Sequence, residues 1–143
     1  MTLVADTSAI YALYDADDYY HESIAQVVKN YLKPLILPIT LLVEIDYLLL
    51  EYLGDKAELD FIESLNKGSF ILEPFLAGDL KRVIEILTQY KSLKLGLADA
   101  SVMAIAERVN AESILTLDQR DFRAVTSKKG KPFKLLPFDG MLK

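Results

Sequence analysis

The chain has 143 residues, of which 52% are hydrophobic and 26% charged, with a formal net charge of −5; that composition builds one ordinary core and excludes disorder. With no Cys and one His, thiol nucleophiles, disulfide frameworks, Cys/His zinc sites and paired-histidine ribonuclease chemistry are excluded, which leaves carboxylates, hydroxyls and lysines. The negative charge argues against a protein that coats nucleic acid nonspecifically, yet allows a hydrolase that needs only a local basic rim. Leu3-Val4-Ala5 reads as a short strand ending at Asp6, and Thr7 and Ser8 are good caps for a helix through about Tyr14. Ile24, Val27, Val28, Tyr31 and Leu32 recur at three and four residue spacing, the mark of an amphipathic helix stopped by Lys33-Pro34.

Leu35-Ile36-Leu37 is a buried strand closed by Pro38, after which Thr40 can cap a long helix through Leu53 that ends at Gly54. A shorter helix, 55–66, precedes a third apolar strand at Phe70-Ile71-Leu72. Helices are expected over 79–90 and 98–110, a strand at 113–117, a short helix at 119–124 and an edge strand at 133–136. Continuous apolar strands alternating with helices indicate a mostly parallel sheet covered on both faces, a three-layer α/β/α sandwich in a single domain over 1–143. The longest apolar stretch, Leu35 to Leu53, is broken by Pro38, Thr40, Glu44, Asp46 and Glu51, which argues against a bilayer span. The N-terminus has neither a basic segment nor a long apolar one, so a cytoplasmic location is expected.

Ligands of open parallel sheets bind outside the carboxyl ends of the strands. Asp6 and Asp118 both stand at such ends, each also able simply to cap the following helix. Glu44 lies in a segment apolar nearly all the way round, with Leu41, Leu42, Val43, Ile45, Leu48, Leu49 and Leu50; this reads as a buried central helix, where a carboxylate is costly unless paired or metal-bound. With Thr40 as cap, the capping-box position falls on Val43, so a box does not account for Glu44. Asp99 opens the face of its helix that continues with Val102, Met103 and Ala106, among small neighbours that allow close approach. Asp6, Glu44, Asp99 and Asp118 in one pocket would repel one another, and a hard divalent ion bound by oxygen, Mg²⁺ or Mn²⁺, resolves that repulsion.

The run Val4-Ala5-Asp6-Thr7-Ser8-Ala9-Ile10, the Pro38-Ile39-Thr40-x-x-x-Glu44 helix, the Leu97-Ala98-Asp99-Ala100 turn and the segment Ile114-Leu115-Thr116-Leu117-Asp118-x-x-Asp121-Phe122 resemble the PIN-domain nucleases, and in size and motif order the VapC-type toxins of prokaryotic toxin–antitoxin pairs. The resemblance covers essentially the whole chain. It implies an RNase H-like fold and Mg²⁺- or Mn²⁺-dependent endoribonuclease activity, with Asp6, Glu44, Asp99 and Asp118 as catalytic and metal-binding residues. Asp6 and Asp99 match the usual direct ligands, Asp121 a frequent additional acid, and Thr7, Ser8 and Thr116 the hydroxyls that orient carboxylates or water. It also implies an RNA substrate, a homodimer and a cognate antitoxin. The rival readings are a PIN-fold module that binds RNA or protein without cutting, and a solitary RNA-processing nuclease with no antitoxin. His21, in a helical first turn, reads as structural. Lys128, Lys129 and Lys131, with Lys134 and the nearby Arg120 and Arg123, form the most basic segment, either a solvated loop or a phosphate-contacting rim that offsets the acidic pocket.

Overall fold

The computed structural model describes residues 2–140, so the extreme ends of the expected 1–143 domain lie outside the described residues. Among these residues five strands, β1 (Leu3–Ala5), β2 (Leu35–Pro38), β3 (Phe70–Glu73), β4 (Ser113–Leu115) and β5 (Lys134–Leu136), form one sheet in the order β3-β2-β1-β4-β5. Every pairing is parallel, with Val4 opposite Ile36 on one side and Ile114 on the other. Short strands suffice because β1 and β4 are buried along their whole length and contribute their side chains to the core from both faces.

Among the described residues seven helices cover the sheet: α1 (Thr7–Tyr14), α2 (His21–Tyr31), α3 (Leu42–Leu53), α4 (Asp55–Asn66), α5 (Ala77–Gln89), α6 (Gly96–Arg108) and α7 (Gln119–Ala124). α1 packs on α2 and α3, and α3 on α4, while α5 packs on α6, which in turn lies against β1 and β2. Phe61 and Phe122 are the largest fully buried side chains, and Phe61 meets Tyr14 and Phe70 edge to face. The expected α/β/α sandwich is therefore present.

The central buried helix is α6, not α3. Residues 100–106 of α6 are buried without interruption, which Ala100, Ser101, Ala104 and Ala106 make sterically easy. On α3 only Ile45 and Leu49 are buried, while Val43 is 82% and Tyr47 61% exposed. An apolar circumference here marks an uncovered surface, a distinction that periodicity cannot make. Thr40 is not a helix cap either: Ile39–Leu41 form a 3-10 turn ahead of α3, and the Thr40 hydroxyl lies 2.7 Å from the Ser101 hydroxyl, pinning the start of α3 to α6.

One buried acid was not singled out by the sequence. Asp79, at the start of α5, accepts from the Leu76 N–H (2.9 Å) and binds the Arg108 guanidinium (2.9 Å), so it caps one helix and clamps the end of another. His21 joins α2 to α1, its Nδ1 donating to the Ala12 carbonyl at 2.8 Å.

Candidate functional site

The chain builds β2 and β3 on one side of β1, then crosses to build β4 and β5 on the other. Such a reversal opens a crevice at the carboxyl ends of the two strands that flank it, here β1 and β4. Asp6 follows β1 directly, and Asp118 is the third residue after β4; α6 starts at the same end and brings Asp99 in its first turn.

Asp6 is 4% exposed and does not cap α1 with its side chain. The hydroxyls of Thr116 (2.8 Å) and Ser8 (3.0 Å) both donate to its Oδ2. Each hydroxyl also accepts a backbone N–H, Thr116 that of Asp118 (3.0 Å) and Ser8 that of Leu117 (2.9 Å). The post-β4 turn and the first acid thus position each other. Burial pushes the Asp6 carboxyl up from its ordinary range, the Thr116 and Ser8 hydrogen bonds pull it back, and the nearby Asp118 charge adds to the rise. Thr7, the remaining hydroxyl residue beside Asp6, is buried with its Oγ1 unpaired among the described residues.

Asp118 does cap α7, its Oδ1 accepting from the Asp121 N–H at 3.2 Å. The capping role is compatible with a further one, because Asp99, Asp118 and Asp121 each offer a carboxylate oxygen, all within 4.8 Å of one another. Asp99 registers the crowding most strongly. Its carboxyl is raised from 3.8 to about 7, first by burial and then by the charges of Asp6, Asp118, Asp121 and Glu44. Asp121 is raised by burial and by Asp118, with partial relief from Arg120, whose guanidinium is 3.6 Å away.

Glu44 occupies a different position from the one its sequence context suggests. It is exposed on α3, close enough for its charge to act on Asp99 but outside the tight three-carboxylate group. Its carboxylate therefore bears no cost of burial. The lysines lie elsewhere. β5 runs parallel to β4, so the loop that leads into it lies at the amino ends of the strands, where Lys134 N–H donates to the Glu112 carbonyl (3.1 Å) and Lys128 N–H to the Glu107 carboxylate (3.0 Å). Lys128, Lys129, Lys131 and Lys134 consequently do not rim the acidic crevice. Of the basic candidates Arg120 adjoins it, and Arg123 is engaged by Asp139 (2.7 Å) and Gln119.

The Thr40–Ser101 bridge, which ties the turn before α3 to α6, has only one signal in the sequence, a Ser among alanines. The donor set is all oxygen and mutually repulsive, so the residues present fit a hard divalent cation and disfavour a soft one.

The pattern of the PIN domain family matches residues 3–128. The chain belongs to the PIN-domain family. This PIN domain is 30% identical over 135 residues to Ribonuclease VapC26 of Mycobacterium tuberculosis, covering 94% of this chain and 100% of the relative. Its fold matches that of VapC20 from the same organism, described as a sarcin-ricin loop cleaving toxin, with a TM-score of 0.76 at 18% identity, over 83% of this chain and 92% of that one. FitAcB from Neisseria gonorrhoeae shares the fold at a TM-score of 0.57, also at 18% identity, over 82% of this chain and 88% of that one. The resemblance read from the motifs is borne out at the level of family and fold.

Proposed function

We propose that this PIN domain is a Mg²⁺- or Mn²⁺-dependent endoribonuclease that acts as the toxin of a toxin–antitoxin pair. The observation that carries the reading is the convergence of Asp6, Asp99, Asp118 and Asp121 at the β1/β4 crevice, with a repulsion that lifts the Asp99 carboxyl to about 7. Asp99, Asp118 and Asp121 would hold the cation, Asp6 would complete its surroundings, and Glu44 would add negative charge from the open side. A cation bound there supplies an activated water and stabilises the charge on the departing 3′-oxygen. The protein's own part is positional. Thr116 and Ser8 hold Asp6 in one orientation, Asp118 is held by the first turn of α7, and Arg120 offers the adjoining positive charge to a phosphate. No protein nucleophile is required, in keeping with the absence of Cys.

Partners are proposed on the uncovered apolar surface. Val43, Tyr47 and Leu50 stand exposed on α3 beside Glu44, which suits an antitoxin segment that lies across the crevice mouth. Ile71, Leu72, Leu80 and Ile84 are exposed on β3 and α5, which suits a homodimer contact. Among the described residues no helix is long and apolar enough to cross a membrane, and we place the protein in the cytoplasm. The test of function is cleavage of a structured RNA by purified protein with Mg²⁺ or Mn²⁺, with Asp6→Asn and Asp99→Asn as controls. Both variants should fold and fail to cut; full activity in both would overturn the assignment.

A further inference from the structure

A cleft of about 910 Å³ opens at the other end of the sheet, between the C-terminal half of α6 and the loop that leads into β5. Six cations line it, Arg82, Arg108, Lys128, Lys129, Lys131 and Lys134, against three acids, Asp79, Glu107 and Glu112. The local balance is +3 in a chain whose net charge is −5. The same polarity runs through the sequence: residues 119–140 hold six cations and two acids. The two arginines are committed to the cleft's own structure, Arg82 to Glu107 (2.7 Å) and Arg108 to Asp79 (2.9 Å). The lysines are not. Lys128 reaches Glu85 only at 4.0 Å with its side chain 66% exposed, Lys129 donates to the neutral Asn110 (2.7 Å), and Lys131 enters no ion pair among the described residues.

We propose that this cleft is a second RNA site, which holds the phosphodiester backbone of a structured substrate at a distance from the carboxylate crevice. The inference rests on the nuclease reading for the identity of the polyanion. A backbone, as opposed to a nucleotide, follows from what the cleft lacks: its one aromatic ring, Phe133, is buried and offers no face on which a base could stack. Lysines with mobile ammonium groups bind phosphates as point charges and carry no base specificity. From Asp99 to Arg108 the rise along α6 is about 14 Å, at ~1.5 Å per residue. A stacked strand rising ~3.4 Å per nucleotide spans that in about four nucleotides. Arg120, with its side chain 79% exposed at the start of α7, lies at the crevice end of the same edge of the molecule and marks the route between the two sites. A substrate long enough to follow that edge gains the lysine contacts, whereas a fragment confined to the crevice does not.

The test uses the double variant Lys129→Glu/Lys131→Glu in the non-cleaving Asp99→Asn protein with Mg²⁺ present. Anisotropy would be read on a labelled 30-nucleotide hairpin and on a labelled trinucleotide. The hairpin should bind about tenfold more weakly, with its log–log salt slope reduced by about two, and the trinucleotide should be unchanged. Lys129→Arg/Lys131→Arg should bind like the parent. Equal losses on both RNAs, no loss on either, or an arginine pair as defective as the glutamate pair would overturn the proposal. So would a cleft whose lysines respond in NMR to millimolar ATP or inorganic phosphate while hairpin affinity stays unchanged in the glutamate variant. Tenfold weaker hairpin binding in a protein whose Asp99-containing form cuts no RNA would uphold the cleft and refute the nuclease reading, so the two fail separately.

Discussion

Replacing Asp99 by Asn should make the metal-free protein more stable while abolishing its activity. In the folded chain the Asp99 carboxyl is lifted from 3.8 to about 7 by burial and by four neighbouring carboxylates. A carboxyl raised by folding contributes stability that is complete below pH ~3.8 and is lost as pH rises through about 7, since the unfolded chain releases its proton first. Above pH 7 the wild type therefore carries the full repulsion. Taken at face value the displacement corresponds to about 4 kcal/mol, at ~1.4 per pKa unit, and the partial exposure of the side chain screens this to about 1–2 kcal/mol. For a domain of this length that is a rise of about 3–7 °C in Tm. The assay is thermal and urea unfolding of both proteins in EDTA, at pH 8 and at pH 5. The variant should be more stable at pH 8, and the gap should narrow toward pH 5. Saturating Mg²⁺ should reverse the order, because the wild type gains about 2.7 kcal/mol at a hundredfold excess over Kd and the variant gains little. A variant equal to or weaker than the wild type in EDTA at pH 8 would refute the claim that the crevice is held together against its own charge.

Thr116→Val removes the donor to Asp6 and the acceptor for the Asp118 N–H; it should cost about 1–2 kcal/mol in stability and about tenfold or more in cleavage rate, and Thr116→Ser should restore both, as unfolding and single-turnover kinetics would show. Glu44→Gln should lower cleavage by about tenfold or less, against at least a hundredfold for Asp99→Asn, because Glu44 acts from an exposed position. Asp79→Ala, which leaves the Leu76 N–H uncapped and Arg108 with only Glu73 and the Pro74 carbonyl, should destabilise by about 2–3 kcal/mol in urea unfolding.

The fold was legible because each strand is a short apolar run and each helix has its own periodicity, so the alternation of β1 to β5 with helices could be read directly. Asp6 and Asp118 were legible for the same reason, as polar residues placed where apolar runs end. What periodicity could not supply was which apolar elements are covered. α3 and α6 are both rich in apolar residues, yet the small side chains of α6 let it sit under the sheet while α3 keeps Val43 and Tyr47 in solvent. The sequence around Glu44 thus signals a burial the residue does not have. Distance along the chain is also a poor guide for the lysines: Lys128 follows Asp121 closely in sequence, but α7 and its following loop carry the chain back across the sheet to the opposite end. Asp79 carries no such signal because its partner Arg108 lies 29 residues away, on another helix.

The most direct test of the central claim is a matched cleavage assay on one structured RNA, with wild-type protein and Asp99→Asn, each with Mg²⁺ and with EDTA. Cleavage by the wild type with Mg²⁺ alone, and by neither protein in EDTA, is the predicted result. Equal cleavage by the wild type in EDTA, or undiminished cleavage by Asp99→Asn with Mg²⁺, would contradict it.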